Sequence, residues 1–271
     1  MKFYFLFLFL IVPKVFAYKF TGDFIEGHYH ATFPIVFSIV DTGDVNMNQR
    51  LKRLTVEAID DWENKTGHSN IFELTEGFLP SSQDGSINGV AGNLIYWDKS
   101  TAFFESFAQQ ESQKNNTMVS STNILAVTTR DASATHYDKV TIRFQSGISV
   151  LRRDDDTLRA AIIHELGHGV GLGHADDYQA IMAANLGMEE AEEDDVVGMQ
   201  ALYAETVYRQ TIGYSMGGEA EKKGLGCGTV SLDEKNNSSG NAVPWSFVLT
   251  VLLGFTAVTQ VKRLASVLRR V

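Results

Sequence analysis

Residues 164 to 174 read HELGHGVGLGH, and this run restricts the fold more tightly than any other part of the 271-residue chain. His164 and His168 stand four apart, so on a helix they project from one face, where two imidazoles can reach a single ion about 2 Å from each. Glu165 is displaced around the helix from the first ligand, so its carboxylate can work on a water at the ion instead of ligating it. Gly171 permits a sharp exit from the helix at positive φ, after which the chain can turn back and bring His174 to the same ion. Three neutral imidazoles leave the fourth position of a tetrahedral zinc open, the arrangement of a catalytic site and not of a closed structural one. The competing reading, a helix that happens to carry satisfied histidines, gives no packing reason for three of them at ligand spacing around an acid.

The run resembles the zinc-binding stretch HExxHxxGxxH of the metzincins, and further matches narrow the likeness to the matrixins. Ala180, Ile181, Met182 and Ala183 resemble the methionine-turn, whose Met forms a hydrophobic floor under the ligands. Asp194 to Tyr203 (DDVVGMQALY) resembles the start of the last catalytic-domain helix. Leu54 to Trp62 (LTVEAIDDW), with Ile71, Phe72 and Glu73, resembles the first helix and the strand after it. The resemblance covers roughly Phe33 to Tyr203 and is tight only from 164 to 203.

The likeness implies an α/β (α+β) fold with a twisted, mostly parallel five-stranded sheet, two long helices above a cleft and a small C-terminal subdomain. It also implies a zinc metalloendopeptidase acting on polypeptides, with one catalytic Zn2+ on His164, His168 and His174. Glu165 would be general base and acid, and Gly171 and Met182 structural residues near the site. Ala175 after the third histidine, and Ala183, Ala184 and Asn185 at the turn, depart from the matrixin pattern, so pocket specificity does not carry over. Neither the histidine-rich loop of a second zinc nor a haemopexin domain is recognisable, which makes a plain microbial matrixin-like enzyme the nearer likeness. A calcium ion is not readable from the sequence.

Elsewhere the patterning predicts a strand over Phe33–Val40 and an amphipathic helix over Asp44–Trp62 with Leu51, Leu54, Ala58 and Trp62 on one face. A loop over Pro80–Gly92, a strand over Asn93–Trp97 and a hairpin of Asn123–Thr129 with Lys139–Phe144 follow. Asp156 or Thr157 is expected to cap the histidine-bearing helix. The acidic run Glu189–Asp195 reads as the solvated start of a helix over Val196–Tyr203. An extended substrate would pair with an edge strand, for which Asn123–Thr129 is the candidate.

The ends carry a different signal. Residues 1–17 read as a signal peptide: an apolar run from Phe3 to Val12 after Lys2, then Pro13 and a small Ala17, with a buried N-terminal element as the alternative. Residues 18–210 are expected to form the catalytic domain and 211–242 a flexible stalk rich in Gly, Ser, Asn and charge. Residues 243–261, apolar and uncharged, read as a transmembrane or C-terminal sorting segment, or else a core helix, and 262–271 as a basic tail. Together these place the enzyme outside the cell or on its surface, anchored through the C-terminal segment and monomeric.

With 33 acidic against 23 basic residues the chain is not a general nucleic-acid binder. Cys227 is the one cysteine, so no internal disulfide forms and no upstream thiol can mask the metal. Activity without trimming is therefore expected, unless Asp23, Glu26, His28 or His30 caps the zinc. His28, His30, His68 and His136 could alternatively be extra ligands or isolated surface residues. Two other classes stay open at this point: a zinc-binding surface module without catalysis, and a metal-scavenging exoprotein binding several ions.

Overall fold

In chain order the elements are β1 (Lys19–Phe20), α1 (Gly22–Glu26), β2 (Ile35–Val40), α2 (Val45–Thr66), β3 (Phe72–Leu79), β4 (Asn93–Asp98) and α3 (Ala102–Asn115). They continue with β5 (Ile124–Ser133), β6 (His136–Gln145), α4 (Ser149–Arg153), α5 (Asp155–Val170), β7 (Leu172–Gly173), α6 (Glu193–Ile212) and β8 (Gly224–Ser231). The computed structural model describes residues 18–81, 87, 89–215 and the backbone of 224–231. The expected signal peptide, apolar C-terminal run and basic tail lie outside the described residues. No helix among the described residues is long and apolar enough to cross a membrane.

Helix α2 starts where Asp44 accepts hydrogen bonds from the backbone N–H groups of Asn46 and Met47, and it ends at Gly67, whose φ of 73° suits a residue without Cβ. Leu51, Leu54, Ala58 and Trp62 are all buried, as their helical spacing predicts. Trp62 fixes the helix against α5 by donating its indole N–H to the Ile163 carbonyl at 2.9 Å. Burying each of the larger apolar side chains on this face stabilises the fold by about 1.5–3 kcal/mol.

The main sheet has the order β3-β2-β4-β6-β5-β8. The β3–β2, β2–β4 and β4–β6 pairs are parallel, while β5 runs antiparallel to β6 in the expected hairpin. Alternation of side chains sorts its two faces: Ile95 and Trp97 of β4 enter the core shared with α2 and α5, whereas Leu94 and Tyr96 join a second cluster. A third cluster forms where Phe104 and Ala108 of α3, four residues apart, pack on Ile124 and Val127. Helix α3 was not expected from the patterning, and its buried residues among the described ones are only those two.

The C-terminal part of the domain corrects the bounds expected of its last helix. Helix α6 is much longer than Val196–Tyr203 and takes in Thr211 and Ile212. Further on, residues 224–231 add β8 as a sixth strand on the outer edge of β5. That pairing is made by backbone groups, which composition does not register.

Candidate metal centre

Helix α5 is capped by Asp154, two residues ahead of the expected Asp156, through the backbone N–H of Asp156. From Ala160 to Val170 every residue of it is buried, so the two histidines it carries are enclosed by the domain. His164 Nδ1 lies 2.6 Å from the Ile181 carbonyl and His168 Nδ1 lies 2.7 Å from the Leu172 carbonyl. A carbonyl can only accept, so each Nδ1 is the protonated nitrogen and each Nε2 keeps a lone pair for a ligand role. The candidate ligand nitrogens of His164, His168 and His174 lie within 4.8 Å of one another, and no other such group of potential ligands occurs among the described residues.

The path from His168 to His174 is set by backbone geometry. Gly171 has φ 129°, and a Cβ there would stand 3.2 Å from side-chain atoms of Leu202 and Phe24. The chain then forms β7, which pairs antiparallel with β1. Ala175, just past His174, donates its N–H to the Met182 carbonyl at 2.8 Å. Met182 lies under α5 at Gly167, where a Cβ would come within 2.5 Å of its sulfur. The methionine floor and the glycine therefore require each other.

Asp195 holds that turn in place. Its carboxylate accepts the N–H groups of Ile181 and Met182 at 2.8 and 3.1 Å and that of Glu192 at 2.9 Å. It is 1% exposed, so this member of the acidic run is a buried strut and not the solvated helix start expected of it. Burial pushes its carboxyl pKa up despite those three donors.

Burial also favours the neutral form of these candidate ligands, holding His164 down to about 3, with the neighbouring His174 adding to the effect, and His168 well below its ordinary value. Neutral imidazole is the form a metal binds. The Nε2 atoms of His164 and His168 are buried without a hydrogen-bond partner, an arrangement that is costly unless a cation takes their lone pairs. The donor set of three imidazoles fits zinc.

Glu165, also fully buried, is pushed up to about 8 by desolvation, with Thr128 and Arg130 pulling the other way. Thr128 of β5 donates its hydroxyl to Glu165 Oε2 at 2.5 Å, while Oε1 is buried without a partner. Sequence reasoning missed Thr128, since nothing local to it signals a contact 37 residues away.

Behind the helix, Arg130 bonds Asp23 in a two-point pair at 2.6 and 3.0 Å and also donates to the His168 carbonyl. Asp23 is thus engaged away from the metal ligands. His30 is buried with its Nε2 2.8 Å from the Gly169 carbonyl, neither a surface residue nor one of the ligand group. His68 stacks on Tyr203, and His28 and His136 contact Tyr137 and Tyr29.

Residues 96–204 match the family model for matrixin, a span running from β4 through both hairpin strands, α5 and the methionine-turn into α6. The chain carries a matrixin-like metzincin domain. It is accordingly a zinc metalloendopeptidase, and its substrates are polypeptides. No curated protein matches the chain significantly. The matrixin match contains every ligand candidate, Glu165, Thr128 and Met182, but not α2, whose Trp62 braces the site helix from outside it.

Burial of His30 is expected to make the matrixin-like domain sensitive to acid. Desolvation lowers its pKa to about 4, so the neutral ring stabilises the fold fully above the ordinary value of 6.5. That stabilisation is lost as pH falls from 6.5 toward 4, amounting to about 2 kcal/mol by pH 5. The stability of zinc-loaded H30Q should consequently fall less between pH 7.5 and 5 than that of the parent. Equal losses in denaturant titrations at the two pH values would refute this assignment.

Proposed function

We propose that this zinc endopeptidase cleaves extracellular or surface proteins, with His164, His168 and His174 as the zinc ligands and Glu165 as general base and then general acid. The observation that carries the proposal is the convergence of three imidazoles beside a buried carboxylate whose Oε1 lacks a partner. When bound, zinc would supply a Lewis acid that polarises the scissile carbonyl and acidifies water. A cation held by the three imidazoles would favour the ionised form of Glu165 against the upward push of its burial, and in that form Glu165 would take the proton of the attacking water at Oε1 and deliver it to the leaving amine. Thr128, itself fully buried, would hold Oε2 and keep the carboxylate aimed. A purely structural zinc site has no use for a partnerless carboxylate at this place, which disfavours the surface-module reading.

The signal peptide and the C-terminal anchor remain part of this proposal on the strength of their composition. The test uses the full chain: elemental analysis for bound metal, and digestion of an unfolded protein such as casein. One zinc per chain is expected, with cleavage abolished by a chelator and restored by zinc. One zinc without any cleavage would support the non-catalytic module, and several ions per chain the scavenger.

A further inference from the structure

Strand β5 has two edges, and both are used. Its inner edge pairs with β6, and its outer edge pairs antiparallel with β8 from Asp131↔Gly224 to Ile124↔Ser231. Within that ladder Cys227 stands opposite Thr128, the residue whose hydroxyl holds Glu165. Residues of β8 also come within 8 Å, Cα to Cα, of residues of α5, which carries two of the three ligands. An extended peptide that paired with β5 next to Glu165 would need the same N–H and C=O groups that β8 takes. Backbone donors and acceptors of an edge strand cannot serve two strands at once.

We infer that residues 224–231 are an intramolecular occupant of the substrate edge, so that β8 must leave β5 before a polypeptide can be cut. This rests on the proposed endopeptidase reading for its consequence, though not for the pairing itself. The sequence of β8, GLGCGTVS, suits a reversible occupant. It carries no charge, and its three glycines weaken a strand through backbone entropy and the absence of side chains to pack. A weak strand can still compete because it is tethered: residues 213–223 are all that separate it from α6 along the chain, and short tethers give effective concentrations of about millimolar. Latency would then come from the C-terminal side of the catalytic helix, where the sequence expectation had looked only upstream of it.

The test has a binding arm and an activity arm. In a Glu165→Ala background, which leaves peptides uncut, a fluorescent peptide copying residues 224–231 is titrated against the chain with its native β8 and against one carrying Gly226→Pro and Gly228→Pro. Proline removes ladder donors, so the double variant should bind the peptide at least about tenfold more tightly. In the Glu165 background the same pair should raise kcat/KM for a protein substrate by a similar factor. Equal peptide affinities would overturn the inference. Should the proline variant not fold, a chain cut at a processing site inserted within 216–223 takes its place, and equal affinity of cut and uncut chains overturns the inference equally. A change in peptide affinity with no hydrolysis in any chain would support the pairing and count against the endopeptidase reading.

Discussion

Glu165→Ala should lower kcat by about 10²–10⁴-fold while one zinc per chain stays bound, because in the proposed mechanism the carboxylate moves protons and supplies no ligand. The geometry separates the two roles. The imidazole Nδ1 atoms are tied to Ile181 and Leu172, neither of which depends on Glu165, so truncating Glu165 leaves the ligand set oriented. His168→Ala differs, since it removes a ligand and should lose zinc and activity together. Thr128 offers a finer test of the same mechanism. Thr128→Val keeps the buried shape and deletes the hydroxyl on Oε2, so kcat should fall with KM little changed, and Thr128→Ser should restore it. Near-native turnover by the Glu165→Ala chain would remove Glu165 from the mechanism, and a Ser variant no better than Val would reduce Thr128 to a packing residue.

How far the sequence revealed the site depends on how local each constraint is. His164, Glu165 and His168 share one helix, so the 3.6-residue repeat alone puts them together, and Gly171 announces the turn toward His174 by residue type. The apolar face of α2 was legible for the same reason. Thr128 and Asp23 carry no local pattern, and they reach their partners across 37 and 107 residues through the tertiary fold. Asp195 was visible but misread, because acids at a helix start are usually solvated and only the return of the methionine-turn over this one buries it. Strand β8 was hidden by its glycines, which composition assigns to a linker although backbone pairing asks nothing of side chains.

The largest stability loss is expected from Asp23→Ala, about 3–5 kcal/mol in denaturant unfolding of the zinc-loaded chain. Asp23 is pushed up by burial, yet the Arg130 guanidinium and the hydrogen bonds around it outweigh that and leave its pKa below the usual carboxylate value. Both side chains are essentially sequestered from solvent, at 2% and 0% exposure, so removing the carboxylate strands a permanent cation in a low-dielectric interior. Arg130 cannot deprotonate to escape, and the His168 carbonyl it bonds would then be held by a guanidinium drawn toward water. Zinc affinity should therefore weaken along with stability, although Asp23 is not in the ligand group. Replacing the pair together, as Asp23→Leu with Arg130→Met, should recover much of the stability, because two apolar groups carry no desolvation cost, but not all of the zinc affinity, because the His168 carbonyl still lacks its donor. If the single variant lost less than about 1 kcal/mol, the ion pair would have to be solvated in the native protein, and the link from the N-terminal segment to the ligand helix would be lost with it.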